Sequence, residues 1–199
     1  MKKLSLLLMV ALLSVATWAQ SNVILSLNRA IFSTTYGEKW LRLSCCDNTD
    51  YVWSATSSKE AKTALLDTSQ DSQLFCFVGN ETDGFAIYNK VLGEAYKLTA
   101  LSPCSHGEAA SWTQDEAATW YLDTRFTEVG DKPGFGITTN KENQGMSLNM
   151  WGGNGGDLKF YSMSGAGSRW IVTQVDQQIV NKLSETRCKE TQALNASSN

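Results

Sequence analysis

One histidine in 199 residues, no C-x-x-C pair and no block of basic residues exclude much catalytic and nucleic-acid chemistry at the outset. His106 stands alone in a Pro-Cys-Ser-His-Gly turn. The two-histidine zinc motif H-E-x-x-H is therefore impossible, and a Ser-His-Asp relay would have to run through that one imidazole. Cys104 lies two residues before it, with no third group to orient a thiolate–imidazole pair. The five cysteines, Cys45, Cys46, Cys76, Cys104 and Cys188, include an adjacent pair and no spacing suited to a tetrahedral half-site, so no metal is expected. They are expected to be buried thiols with at most one bridge, and the odd count leaves at least one over. A net charge of −3 and an isoelectric point of about 5.2 deny nucleic acids and anionic membranes their usual basic patch. Glycoside hydrolysis needs two carboxylates at a set separation across a cleft. Asp115 and Glu116 are acidic, yet nothing in the sequence selects a pair. No catalytic apparatus and no cofactor are expected.

Long apolar runs are also missing after the start of the chain. Residues 1–20 join Lys2 and Lys3 to an apolar stretch over 4–15 and then to small residues that include Thr17 and Ala19. That stretch is short of the ~20 residues needed to span a bilayer. The pattern is that of a signal peptide, with cleavage expected after Ala19 (segment 1–19) and an exported product: periplasmic, surface-bound or extracellular. No membrane insertion is expected of the remainder.

Two prolines stand against fifteen glycines. Short alternating segments lie between Gly/Asn/Asp/Ser clusters, a period-2 pattern that reads as all-β. A helical period is convincing only after residue 176, where Ile179, Val180 and Leu183 recur among polar residues. Residues 177–199 are therefore expected to form a short helical tail or linker. Within 20–176 the sequence repeats itself. G-F-A-I-Y-N at 84–89 returns as G-F-G-I-T-T-N at 134–140, and G-E-K-W at 37–40 is matched by G-E-A-Y at 93–96 and more loosely by G-M-S-L at 145–148. Each unit also ends in an aromatic that starts a strand: Phe75, Trp120 and Trp170, spaced 45 and 50 residues apart. Units of about 50 residues are too small to bury an apolar face alone, so three are expected to close around a shared axis with these aromatics together in the core.

This order of elements resembles the ricin-type β-trefoil lectin module over about residues 24–176. That family's closing strand carries Q-x-W. Here the first copy keeps the outline as Gln73-Leu74-Phe75, while the others read Ala118-Thr119-Trp120 and Ser168-Arg169-Trp170. The resemblance implies an all-β trefoil. It also implies a secreted, non-catalytic, lectin-like carbohydrate-binding module whose partner is a glycan or glycoprotein. It is similar too to trefoil-like accessory domains of secreted bacterial glycoside hydrolases, so a linked or co-secreted glycoside hydrolase is a further expected partner. The alternatives are a protein-binding trefoil (inhibitor or adhesion scaffold) and a non-catalytic piece of a larger glycoside hydrolase such as a sialidase.

A sugar ring stacks its C–H face on an aromatic and needs acceptors and donors for its hydroxyls. The third copy matches the resemblance best. Asn149 lies where the family tends to place an aspartate, and Tyr161, with Lys159 beside it, lies near the aromatic platform. Trp151 sits against a G-G-N-G-G-D run at 152–157 that offers little local packing to bury it. That run matches the start of a calcium-binding nonapeptide repeat. A single copy has no stacked neighbour with which to share an ion, so calcium is not expected. In the second copy Trp112 is the candidate platform, with Asp115 near it. The first copy offers Asp47, Asn48, Asp50, Tyr51 and Trp53 in a polar loop with aromatics interleaved.

Overall fold

The structure is a computed structural model and describes residues 31–55, 60–123, 128–129, 132–141 and 145–175. The expected signal peptide, the C-terminal tail and Cys188 lie outside these residues.

The strands fall into three sets of four. A short β1 (Phe32–Ser33) precedes the first set, β2 (Trp40–Cys45), β3 (Tyr51–Ala55), β4 (Ala61–Leu65) and β5 (Phe75–Asn80). The second is β6 (Gly84–Asn89), β7 (Lys97–Thr99), β8 (Ser111–Thr113) and β9 (Tyr121–Asp123). After a small hairpin, β10 (Glu128–Val129) with β11 (Lys132–Pro133), the third set is β12 (Gly136–Thr138), β13 (Met146–Met150), β14 (Leu158–Ser162) and β15 (Trp170–Val175). Two single 3₁₀ turns, Asp71–Gln73 and Ala166–Ser168, each lie just before a closing strand.

The first and fourth strand of each lobe meet at equivalent residues: Leu41 opposite Phe75, Phe85 opposite Trp120, and Phe135 opposite Trp170. The lobes join through the antiparallel pairs β5–β6, β9–β12 and β15–β2. Six strands thus close into a ring in the order β2-β5-β6-β9-β12-β15, which removes the open edges a flat sheet would present. The hairpins β3–β4, β7–β8 and β13–β14 cap the ring. They touch one another cyclically, with Lys62 bridging Asp157, Ser111 bridging Glu60, and Lys159 bridging Ala109. These bridges make Lys62, Ser111 and Lys159 equivalent positions. Counting from them aligns Ser54 with Thr99 and Asn149, and Thr63 with Trp112 and Phe160.

The expected core is present. Phe75, Trp120 and Trp170 are fully buried. Their contacts repeat between lobes: Phe75 stacks on Trp112 and Trp120 on Phe160, each pair 6.2 Å between ring centroids. Trp120 and Trp170 donate their indole N–H to the equivalent carbonyls of Leu98 (2.8 Å) and Leu148 (2.9 Å). These bonds satisfy the polar edge of a ring that would otherwise be costly to bury. Phe75 has no such donor, and Trp53 packs edge-on against both it and Trp170. Of the cysteines, Cys45 and Cys76 are buried free thiols and Cys104 is partly buried. Burial pushes the Cys45 thiol above its ordinary range.

Candidate functional site

The third hairpin gathers several of the candidate residues on one surface. Asn149 opposes Lys159 and Ser147 opposes Tyr161 in the β13–β14 register, while Leu148 and Phe160 alternate with them into the core. Ser147 is buried on the side facing the 3₁₀ turn, where its hydroxyl accepts from the Ile137 amide and donates to the Ser168 carbonyl, both at 2.8 Å. The Asn149 side-chain amide donates to the Ser168 hydroxyl at 2.9 Å, and that hydroxyl donates on to the Ser162 carbonyl at 2.8 Å. Gly167 lies against this amide so closely that a Cβ there would come 3.0 Å from its nitrogen, and a Cβ on Gly165 would come 3.2 Å from the Tyr161 ring. Two glycines therefore lay bare backbone between the Tyr161 ring and the Asn149 amide.

Trp151 opens the glycine-rich loop. Its amide donates to the Asp157 carbonyl at 3.0 Å, and Gly152, Gly153 and Gly155 take positive φ values of 75°, 86° and 79°, which favour glycine. The loop is tied to the first lobe: the Thr63 amide and hydroxyl both donate to the Gly156 carbonyl, at 2.9 and 3.0 Å, and Asn48 donates to Asn154 at 3.2 Å. Held in this way, Trp151 is half-buried and meets Tyr161 edge to face at 5.9 Å. Tyr161 itself is 40% exposed.

His106 completes the aromatic group, its ring 5.3 Å from Trp151 and 5.2 Å from Tyr161. Its turn docks on β14 through the Gly107 amide, which donates to the Phe160 carbonyl at 2.9 Å. The sequence presents His106 as a solvated turn residue. It is indeed exposed, but it packs against both rings, and no local pattern signals that contact. Lys159 places its ammonium 5.8 Å from the Trp151 ring centroid, a cation–π arrangement, and 3.8 Å from Asp157. Asp157 also pairs with Lys62 at 3.7 Å, and the Lys62 ammonium is held above its usual range chiefly by its hydrogen bond to Glu60.

An open cleft of about 510 Å³ lies along this surface, lined by Asn149, Trp151, Tyr161, Gly165 and Gly167 and, from the first lobe, by Asp47. The structure thus brings Asn149, Trp151, Lys159 and Tyr161 into one neighbourhood. Trp112 does not join them. It is 4% exposed and packed in the core, which corrects its assignment as a platform: it is equivalent to the inward Phe160, and Thr113 occupies the outward position of Tyr161. Trp53 of the first-copy candidates is likewise fully buried. Among the described residues no three His, Cys, Asp or Glu side chains gather in a metal-binding group.

No family model matches the chain, and no curated protein matches it. Solved structures do. A Macrolepiota procera ricin B-like lectin in complex with lactose is similar at a TM-score of 0.55 and 10% identity, over 70% of this chain and 98% of that one. ThreeFoil, a designed 3-fold symmetric protein, matches at 0.52 and 15%, over 68% and 99%. A mosquitocidal holotoxin matches at 0.51 and 18%, over 70% of this chain and 17% of its own. At such identities the likeness speaks to architecture, and together with the closed ring and its three capping hairpins it makes the fold of this chain a β-trefoil, similar to that of the ricin B-like lectin.

Proposed function

We propose that this chain is an exported, non-catalytic, lectin-like module that binds a glycan or glycoprotein through its third lobe. One observation carries the reading: Tyr161 and Trp151 border an open cleft whose floor is the Asn149 amide and the backbone of Gly165 and Gly167. Aromatic rings beside exposed polar groups suit a pyranose, which offers a C–H face to stack and hydroxyls to bond. The lactose complex of the Macrolepiota lectin supports the same reading by analogy of fold. The other two lobes lack this arrangement, with Ala64 and Thr113 in place of the Tyr161 ring and Ser54 and Thr99 in place of Asn149, which shapes the cleft floor. Binding is therefore monovalent, shallow and weak, as expected where little ligand area is enclosed. A leader over 1–19 fits delivery to extracellular glycans, alone or beside a linked or co-secreted glycoside hydrolase.

Retention of the purified protein on immobilised glycans tests this. Binding in the millimolar range is expected, with Trp151→Ala and Tyr161→Ala each weakening it about tenfold, which is ~1.4 kcal/mol, at unchanged circular dichroism. A broad glycan array that retains nothing at millimolar sensitivity defeats the proposal.

A further inference from the structure

The amide of Asn149 is already engaged within the fold. In the first lobe the buried Gln73 side chain donates to the Leu65 carbonyl at 2.7 Å, tying the turn before the closing strand to the end of its hairpin. In the third lobe the equivalent bond runs from the shorter Ser168 hydroxyl to the Ser162 carbonyl, and Asn149 reaches in to donate to that hydroxyl. Asn149 thus fills space and hydrogen-bonding capacity that a glutamine would supply. Pinned there and covered by Gly167, it positions the cleft floor and is poorly placed to chelate a ligand.

Hydroxyl recognition still needs a strong acceptor, and the cleft has one. Among the described residues Asp47 is the only charged one on its lining, and it comes from a different lobe. Its position is set by neighbours on both sides: the Cys46 amide donates to the Arg169 carbonyl at 2.9 Å, and Asn48 reaches Asn154 at 3.2 Å while its Oδ1 accepts from the Asp50 amide at 3.1 Å. The loop that carries Asp47 is therefore fastened both to the third lobe's closing strand and to its glycine-rich loop, while the carboxylate itself is exposed. An ionised carboxylate offers two oxygens and can accept from two adjacent hydroxyls at once, in charge-assisted bonds stronger than neutral ones.

Building on the glycan reading above, we propose that Asp47 is the ligand-chelating residue of the third-lobe cleft, and that it selects neutral pyranoses presenting a vicinal diol. The sugar's C–H face lies on Tyr161 and its diol points across the cleft to Asp47. A sugar carrying a carboxylate on that edge is disfavoured by the like charge of Asp47, since the nearby Lys159 ammonium is held over the Trp151 ring and beside Asp157.

Titration calorimetry with methyl glycosides of neutral hexoses and of the corresponding hexuronates tests this on the wild type, Asp47→Asn, Asp47→Ala and, as a control outside the cleft, Asp115→Ala. The wild type is expected to prefer neutral hexoses about tenfold or more. Asp47→Ala is expected to lose about tenfold in neutral-hexose affinity, and Asp47→Asn, which keeps the shape and one acceptor oxygen, to lose less. Both are expected to erase the discrimination against hexuronates, a change that a merely structural role would not produce. Asp115→Ala should bind as the wild type does. If the wild type binds and Asp47→Ala binds equally well, or hexuronates bind as tightly as hexoses, or Asp115→Ala loses as much as Asp47→Ala, the assignment of Asp47 falls while the glycan reading stands. If the wild type binds no sugar at all, the glycan reading falls and takes this assignment with it.

Discussion

Trp112 and Tyr161 show how one residue of register separates a core side chain from a surface one. Tyr161 lies nine residues before its closing aromatic and Trp112 eight (170 − 161 and 120 − 112), close enough to pass for the same position in two copies. Side chains alternate across a strand, so an odd difference reverses the face. Phe160, ten residues before Trp170, is the true counterpart, and the shorter second-lobe connection preserves parity by losing two residues. The Trp112 indole N–H has no hydrogen-bond partner among the described residues. Trp112→Ala is therefore expected to lower stability by about 3–5 kcal/mol, as for other large core aromatics. Trp112→Phe copies the third lobe and drops an unpaired donor, so it should cost clearly less. Urea unfolding of both variants measures the difference, and a Trp112→Phe loss as large as that of Trp112→Ala would contradict the core placement.

At the scale of elements, the hairpins and the turns before the closing strands vary while the barrel strands hold. The Q-x-W outline survives only in the first lobe, yet its turn-tying bond survives in the third with a serine and an asparagine in the glutamine's place. Where barrel strands pass one another closely, the requirement is stricter. Gly84 begins β6 at φ +92°, and a Cβ there would sit 2.3 Å from the Thr119 methyl and 2.9 Å from the Trp120 carbonyl oxygen. Gly93, at φ +79°, has nothing within 4 Å of that point. Gly93→Ala is expected to cost only the strain of a left-handed backbone, ~1 kcal/mol. Gly84→Ala adds a steric clash with backbone and should cost ~2–4 kcal/mol. Thermal and urea unfolding of the two variants side by side checks the ordering.

For the whole molecule, closure of the ring couples the lobes. β15 pairs along its full length with β2, from Trp170 opposite Cys45 to Val175 opposite Trp40, and the three hairpins brace one another at the cap. No lobe has a core of its own, because each closing aromatic packs on side chains from its neighbours. A chain ended at residue 123, which keeps two lobes, is expected to lack a cooperative unfolding transition and to show a collapsed near-ultraviolet circular dichroism signal. A sharp two-state transition in that truncation would show that the lobes fold independently.

The linear sequence determined the all-β class, the threefold repeat and the three core aromatics, because alternation and a recurring strand-opening ring are local patterns. It also singled out Trp151 and Tyr161, since an aromatic next to glycines and another on a hairpin are visible without a fold. Only the tertiary structure decided that Trp112 and Trp53 belong to the core, that the Asn149 amide is spent on Ser168, and that His106 and Asp47 flank the third hairpin. Asn48 and Asn154, the contact that carries Asp47 to the cleft, are 106 residues apart. Such neighbours are brought together by the closing of the barrel on itself, a long-range event that leaves no period, spacing or composition in the chain.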